Sequence, residues 1–162
     1  MQKELTPRDR INLSSVYEWR KFPDNTISNA TALGLDASWS HGFSSDLSVS
    51  LETSYDRVSS DIDYESYNAY SAGAGIYREL PYGVTAALHG QVRVAKFDAV
   101  FPIYGKVRKD TRYTANLNLT KRDLNFWGYA PELEYTYSFN DSNLASYYFD
   151  SHAVNVTLSK DF

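Results

Sequence analysis

Residues 147–162 read YYFDSHAVNVTLSKDF, and they show a period of two that decides the fold. Val154, Val156 and Leu158 stand on every second position, and polar residues fill the positions between them. Successive side chains of a β-strand point to opposite faces of a sheet, so this period is typical of a strand. The stretch therefore predicts a strand with one apolar face and one polar face.

The aromatic Phe162 at the end of the sequence adds a second signal. An alternating strand that finishes on an aromatic residue resembles the last strand of bacterial outer-membrane barrels, which the barrel insertion machinery reads. The resemblance implies that Val154, Val156, Leu158 and Phe162 form a C-terminal insertion signal.

The same period recurs along the whole chain. It predicts about eight consecutive strands, over residues 10–20, 29–40, 47–56, 68–76, 84–94, 112–120, 132–139 and 147–162. Strands of about ten to fifteen residues fit tilted transmembrane strands better than the ~5–6 residues typical of soluble sheets. We therefore expect an all-β, antiparallel, up-and-down transmembrane β-barrel over residues 10–162, either complete or the C-terminal part of a larger one. Residues 1–9 are expected to be an N-terminal periplasmic lead-in.

Composition agrees with this architecture and narrows the function. The mean hydropathy is −0.47, as expected when lipid-facing and lumen-facing residues alternate and their averages cancel. Aromatic residues make up 15%, which suits the aromatic bands of a barrel but also an adhesive β-sandwich. The net charge of −4 argues against a nucleic-acid partner, and the lack of cysteine excludes disulfides and thiolate metal sites.

The lengths of the connections predict an orientation. If the C-terminus is periplasmic, the long polar segments 58–65 and 97–106 become outer loops, and the short turns near Gly42 and Pro81 become inner ones. With an even number of strands both termini are periplasmic. Aromatic residues then gather at strand ends, with Tyr17, Trp19, Tyr55, Tyr70, Tyr113, Tyr137 and Phe139 in an outer band and Trp39, Tyr129 and Phe162 in an inner band.

The polar positions of the strands carry the candidate functional residues. We expect them to line the barrel lumen, where buried charges must be paired. These lumen-lining candidates are Glu18, Arg20, Asp36, Glu52, Asp56, His89, Arg93, Arg112, Glu132 and Glu134. Mutual pairing is the structural interpretation of this set, and a transport lining or proton relay is the functional one.

Two chemical alternatives are weaker. His89 points inward, but no nucleophile motif accompanies it, so we expect no enzyme activity and no cofactor. Asp61, Asp63 and Glu65 alternate in a loop and could hold Ca²⁺. The loop lacks the glycine of a dedicated calcium site, so a solvated acidic loop is the preferred interpretation and no metal is expected.

Three segments near the end of the chain carry a narrower resemblance. Residues 108–110 (RKD), residues 128–135 (GYAPELEY) and residues 141–144 (DSNL), together with the closing strand to Phe162, resemble the surface lipoprotein assembly modifier (Slam) family. The resemblance implies a periplasmic tetratricopeptide-type helical domain followed by a barrel of about fourteen strands. It further implies the translocation or assembly of lipoproteins or small secreted proteins at the surface.

Two functional hypotheses follow. The first is an outer-membrane barrel of this family, with outer-membrane lipid, the insertion machinery and a lipoprotein or secreted cargo as partners. The alternative is a self-contained small OmpA-like barrel with structural or adhesive loops, whose lumen would be filled by side chains. A barrel enzyme or a soluble β-sandwich is a third, weaker interpretation.

Overall fold

The computed structural model describes residues 2–21, 29–124 and 127–159. Over these residues the chain forms one sheet in which every neighbouring pair of strands is antiparallel and the strand order follows the sequence. The nine described strands are β1 (Gln2–Thr6), β2 (Asp9–Arg20), β3 (Ala30–Gly42), β4 (Leu47–Ser60), β5 (Tyr67–Leu80), β6 (Val84–Phe101), β7 (Lys106–Lys121), β8 (Ala130–Ser142) and β9 (Phe149–Ser159).

The eight strands expected from the sequence are confirmed as β2 to β9. The structure adds β1, which lies within the segment expected to be a lead-in and pairs with β2, with Lys3 opposite Ile11. The sequence analysis did not predict this strand, because five residues are too few to establish a period of two.

Two of the expected outer loops are shorter than the sequence suggested. The segment 97–106 is not a long loop: β6 runs to Phe101 and β7 starts at Lys106, so only residues 102–105 connect them. The register shifts between Lys96 and Val100, and a β-bulge of this kind interrupts the period of two. β4 likewise runs to Ser60, and a 3₁₀ turn at Asp63–Glu65 occupies most of the remaining connection to β5.

The short turns expected at the other end of the sheet are confirmed. Residues 43–46 join β3 to β4, and residues 81–83 join β5 to β6. The second turn has positive φ at Tyr82 (65°) and Gly83 (63°), which matches the backbone of a tight hairpin turn. Arg122 of the next connection donates its backbone N–H to Gly83 O at 2.8 Å, so neighbouring turns are hydrogen-bonded to each other.

The pairing register separates the side chains into two faces. Successive residues alternate, so the face of one residue fixes the face of its partners on every neighbouring strand. Along one such row Ile11 is opposite Trp39, Trp39 is opposite Leu51, and Leu51 is opposite Ala74. We call the side of the sheet that carries this row the apolar face, and the opposite side the polar face.

Little of the described sheet is buried. Ala69, Ala95 and Phe97 form a small buried cluster near one end of the polar face, and Leu144, which is not part of this cluster, is also buried. Large side chains on the apolar face are instead exposed, including Leu51 at 53% and Leu88 at 52%. Within the described residues β1 and β9 are the two edges of the sheet, and they do not pair with each other.

Across residues 2–21, 29–124 and 127–159, none of the helical segments has the length and apolar character needed to cross a membrane.

Candidate functional site

The polar face of the sheet collects the residues that the sequence analysis proposed as lumen-lining. The register places Glu52 opposite Gly73, and Gly73 opposite Gln91. Following the alternation from these pairs brings the whole set to this face: Glu18, Arg20, Asp36, Glu52, Asp56, His89, Arg93, Arg112, Glu132 and Glu134. All ten candidates therefore lie on the same face of the sheet.

A side-chain network spans the middle of the polar face. Glu52 Oε1 on β4 lies 2.8 Å from His89 Nε2 on β6, although the geometry at Nε2 does not complete a hydrogen bond. Gln91 Nε2 donates to the same Glu52 oxygen at 3.2 Å, and Ser71 Oγ is 2.6 Å from Ser54 Oγ. These contacts join three strands.

The glycine at position 73 makes this network possible. β4 and β6 are separated by β5, and two strand spacings amount to roughly 9.5 Å. Glu52 must therefore cross over β5 to reach β6. A Cβ at Gly73 would lie 2.7 Å from Glu52 Oε1 and 2.9 Å from its Cγ, so a side chain at position 73 would occupy the path that Glu52 takes.

Further charged groups on this face have partners of several kinds. Arg93 NH2 lies 3.3 Å from Asp56 Oδ2, and Arg20 Nε lies 2.7 Å from Glu18 Oε1. Asn155 Nδ2 donates to Glu134 Oε2 at 3.4 Å. Mutual pairing, which was the structural interpretation of this set, therefore accounts for Glu18, Glu52 and Asp56, three of its six acidic residues.

Arg112 is the exception among the candidates. It stands directly opposite Arg93 on the neighbouring strand, and its guanidinium lies 5.3 Å from the centre of the Phe149 ring. Among the described residues no carboxylate pairs with it. The polar face thus keeps one cation that is stabilised by an aromatic ring alone.

One part of the polar face was missed by sequence reasoning. Arg108 Cζ lies 3.4 Å from the centre of the Tyr147 ring and 4.5 Å from that of Phe97, while Arg108 NH2 is 2.5 Å from Asp110 Oδ2. Residues 108–110 were noticed as part of a resemblance, but nothing in the sequence brings them next to Tyr147, which is far along the chain.

The connection between β8 and β9, residues 143–148, is held against this end of the polar face. Asn140 Nδ2 donates to Tyr147 O at 2.6 Å, and Leu144 is only 2% exposed. Asn143 bonds to the backbone of β7 at two places, accepting from Lys109 N at 2.7 Å and donating to Val107 O at 2.8 Å. This connection therefore folds over the sheet.

The apolar face carries the expected aromatic residues. Tyr55 and Tyr70 are cross-strand partners with ring centres 5.1 Å apart, and Tyr113 and Phe139 are partners 6.2 Å apart. Cross-strand aromatic pairs stabilise a sheet. Val154, Val156 and Leu158 of the expected insertion signal lie on exposed positions of β9 on this same face, whereas Phe162 lies outside the described residues.

The acidic loop gives no support for a cation site. Asp61, Asp63 and Glu65 are all exposed. In the part of the chain that the structure describes, no group of three or more His, Asp or Glu side chains is arranged to hold a metal ion.

Local contacts shift the pKa values of charged groups near the short turns of the sheet. Ser44 Oγ donates to Asp46 Oδ1 at 2.6 Å, and this hydrogen bond holds the pKa of Asp46 below its usual range. Glu79 Oε2 lies 2.9 Å from Arg122 NH2, and the hydrogen bond from Arg122 to Glu79 raises the pKa of Arg122. Both contacts reinforce the end of the sheet that carries the short turns.

The chain was compared with protein-family models, curated proteins and solved structures, and one of these comparisons identifies its family. No curated protein and no solved structure matches it. The family model described as "Surface lipoprotein assembly modifier" matches residues 1–162, which is the whole chain. This confirms the resemblance carried by residues 108–110, 128–135 and 141–144. The chain therefore belongs to the surface lipoprotein assembly modifier family, and its general role lies in the assembly of surface lipoproteins.

Proposed function

We propose that this chain forms part of a β-barrel in the bacterial outer membrane, and that its polar face lines a passage for lipoproteins or small secreted proteins to the cell surface. The observation that carries the proposal is the division of one sheet into an exposed apolar face and a polar face with a side-chain network. Translocation of this kind requires no catalytic residue, metal or cofactor.

Lipid is the environment that suits the apolar face best. Burying a Leu or Val side chain is worth about 1.5–3 kcal/mol. Exposed residues of these types occur on seven of the eight long strands, and β7 carries the exposed Tyr113 instead. Monomeric soluble proteins rarely leave so continuous an apolar surface in water. The long strands, β2 to β9, have 11 to 18 residues, enough to cross the hydrocarbon layer when tilted.

The open sheet favours a larger barrel over a self-contained one of eight or nine strands. Small barrels close their first strand on their last, and side chains then fill the interior. Here β1 and β9 remain edges within the described residues. Additional strands between them would close a wider barrel, and the polar face could then line an aqueous passage rather than a filled core.

The pattern of charge on the polar face suits transient contact with a passing polypeptide. Four of the six acidic candidates are already engaged by Arg20, His89, Gln91, Arg93 or Asn155, so the lining offers few unpaired charges that would hold a cargo tightly. Conduction requires contacts that are weak enough to release what they bind.

The proposed orientation places the C-terminus and the short turns in the periplasm. Residues 61–66, 102–105 and 143–148 would then lie at the cell surface, and the barrel insertion machinery would read β9 from the periplasmic side. The short turns at residues 43–46 and 81–83 support this orientation.

Tryptophan quenching by brominated lipids tests the membrane part of the proposal. In single-tryptophan variants of the purified protein in liposomes, Trp39 on the apolar face should be quenched strongly. A tryptophan placed on the polar face by Thr114→Trp should instead be quenched by aqueous acrylamide. Equal quenching of both by acrylamide, or failure of the protein to float with liposomes, would refute the barrel.

Surface display of a lipoprotein tests the transport part. Cells that make the protein with a family-type lipoprotein cargo should lose surface-exposed cargo, measured by protease shaving, when Glu52 and Asp56 are both changed to Lys. Exchanging the exposed tip residue Ile103→Ser should leave display unchanged. Normal display with the reversed charges, in protein that is inserted normally, would contradict a passage lined by the polar face.

A further inference from the structure

Two lysines form a like-charged pair at one border of the apolar face. Lys96 on β6 stands directly opposite Lys109 on β7, and both side chains are exposed. Lys96 is two residues from Val94, so it lies on the same face, near the end of the sheet that carries the connection between β6 and β7. Like charges directly opposite each other destabilise a sheet, so the pair is unfavourable unless an anion lies between its members.

No carboxylate in the described part of the chain neutralises this pair. Asp98 is close in sequence, but its Oδ2 lies 2.6 Å from Arg57 NH2, so that carboxylate is already paired. The ion pairs at this end of the sheet join Arg57 with Asp98 and Arg108 with Asp110, and neither includes Lys96 or Lys109.

A hollow of about 660 Å³ adjoins Lys96. Its lining combines the apolar residues Tyr70, Val94 and Phe97 with the polar residues Asn68, Lys96 and Asp98, and Lys109 stands opposite Lys96 outside this lining. Tyr55 Oη donates to Asn68 Oδ1 at 2.8 Å, which directs the amide nitrogen of Asn68 away from that contact. The hollow therefore presents an amide donor, the cation of Lys96 and the ion-paired carboxylate of Asp98 beside an apolar wall.

We propose that Lys96 and Lys109 hold the phosphate of an outer-leaflet lipid headgroup between them, and that the acyl chains of this lipid lie along Tyr70 and Val94 in the adjoining hollow. This inference rests on the proposed barrel and its orientation. The apolar wall selects a lipid over free phosphate, because it continues directly into the apolar face and would be left exposed by an inorganic ion.

Native mass spectrometry of the purified protein in neutral detergent tests the inference, with bis-phosphorylated lipid A as the probe. Each basic residue near an anionic lipid surface contributes roughly a fivefold factor in affinity, so Lys96→Gln with Lys109→Gln should weaken lipid A binding about 25-fold. Lys106→Gln, in the same hairpin but at its tip, is the matched control and should change the affinity less than about twofold.

Three results would overturn the inference: equal affinity for wild type and the double variant, equal affinity for lipid A stripped of its phosphates, or displacement of lipid A by equimolar inorganic phosphate. Flotation of each variant with liposomes is measured in parallel. A wild-type protein that floats but does not discriminate phosphorylated lipid contradicts this inference alone, whereas one that does not float contradicts the barrel as well.

Discussion

Glycine at position 73 shows how one missing side chain organises the polar face. The carboxylate of Glu52 lies over this residue and reaches Gln91 and His89 on the second strand along. Position 90 offers a natural comparison, since a Cβ at Gly90 would meet nothing within 4 Å. A side chain at position 73 would therefore collide with Glu52, whereas one at position 90 would collide with nothing.

Gly73→Ala should lower the free energy of unfolding by about 1–2 kcal/mol, because Glu52 would have to abandon its hydrogen bond. Gly90→Ala should be neutral or stabilise by up to about 1 kcal/mol, since alanine restricts the unfolded chain. Urea titration of the liposome-inserted protein measures both. In a double-mutant cycle, Gly73→Ala and Glu52→Ala should be less than additive; strict additivity would show that Glu52 does not depend on Gly73.

Ser44 controls the titration of a turn carboxylate. The folded pKa of Asp46 lies below its unfolded value, so its contribution to stability is present above the unfolded pKa and is lost as the pH falls through the folded pKa. Ser44→Ala should raise the pKa of Asp46 toward the ordinary value of about 3.9, as seen by NMR of the Asp46 carboxyl carbon. Ser45→Ala, in the same turn, is the control and should leave it unchanged.

Phe162→Asp tests the expected insertion signal. The substitution should reduce assembly of the barrel in cells severalfold and leave detergent refolding of the purified protein nearly unchanged, because only the cellular pathway uses recognition of the last strand. The two yields are compared by the fraction that runs as folded protein on unheated gels. Equal losses in both settings would leave Phe162 a packing role only.

The face of the sheet on which a residue lies was predictable where the period of two was intact. All ten lumen-lining candidates reached one face because alternation alone fixes the face of a residue once its strand is known. Their partners were not predictable, since the contact of Glu52 with His89 depends on register between strands and on Gly73 lying between them. Arg108 was missed for the same reason, as its ring contact with Tyr147 joins distant parts of the chain.

At the scale of elements, the connection at residues 143–148 behaves as part of the packed structure. Its buried Leu144 and the hydrogen bonds of Asn140 and Asn143 attach it to β7 and to the polar face. If the barrel is oriented as proposed, this surface connection narrows the passage at its outer end.

Leu144→Ala should release this connection at a cost of about 2–4 kcal/mol, since it removes a fully buried side chain. The expected readout is faster cleavage between residues 143 and 148 by a nonspecific protease added to intact cells. Ile103→Ala is the matched control, because Ile103 is 82% exposed at the tip of a neighbouring hairpin. Equal cleavage rates in wild type and Leu144→Ala would mean that Leu144 does not hold the connection.

Strand number was predictable from the sequence, but strand ends were not. The bulge between Lys96 and Val100 disturbs the alternation, so a continuous hairpin was expected to be a long loop. β1 was missed because its five residues are too few for a pattern. In both cases pairing with a neighbouring strand, which a single sequence does not display, determines where the strand ends.

At the scale of the whole molecule, the order of the strands followed from the sequence and the closure of the sheet did not. Consecutive hairpins dictate the order β1 to β9. Closure depends on strand number, tilt and stagger together, and these are properties of the complete sheet rather than of any strand. The family match, which covers all 162 residues, was anticipated only from segments near the end of the chain.

Disulfide trapping tests whether β9 closes on the part of β2 that β1 leaves uncovered, which begins at Leu13. The chain has no native cysteine, so introduced pairs are unambiguous. Leu133→Cys with Val156→Cys, directly opposite on β8 and β9, should cross-link in membranes under mild oxidation. Leu13→Cys with Val156→Cys should not cross-link, because further strands separate β2 from β9 in a larger barrel. Efficient cross-linking of the second pair would establish a small closed barrel.

The open edges of the sheet also constrain the order of events during assembly. Each unpaired backbone N–H or C=O costs several kcal/mol in hydrocarbon, and β9 alone presents an edge of 11 residues. A sheet with such an edge cannot enter the bilayer first and find its remaining partner afterwards. If the sheet lies in the outer membrane as proposed, insertion and edge pairing must therefore occur in one kinetic step, and the rate of entry should follow the rate at which the last edge is hydrogen-bonded.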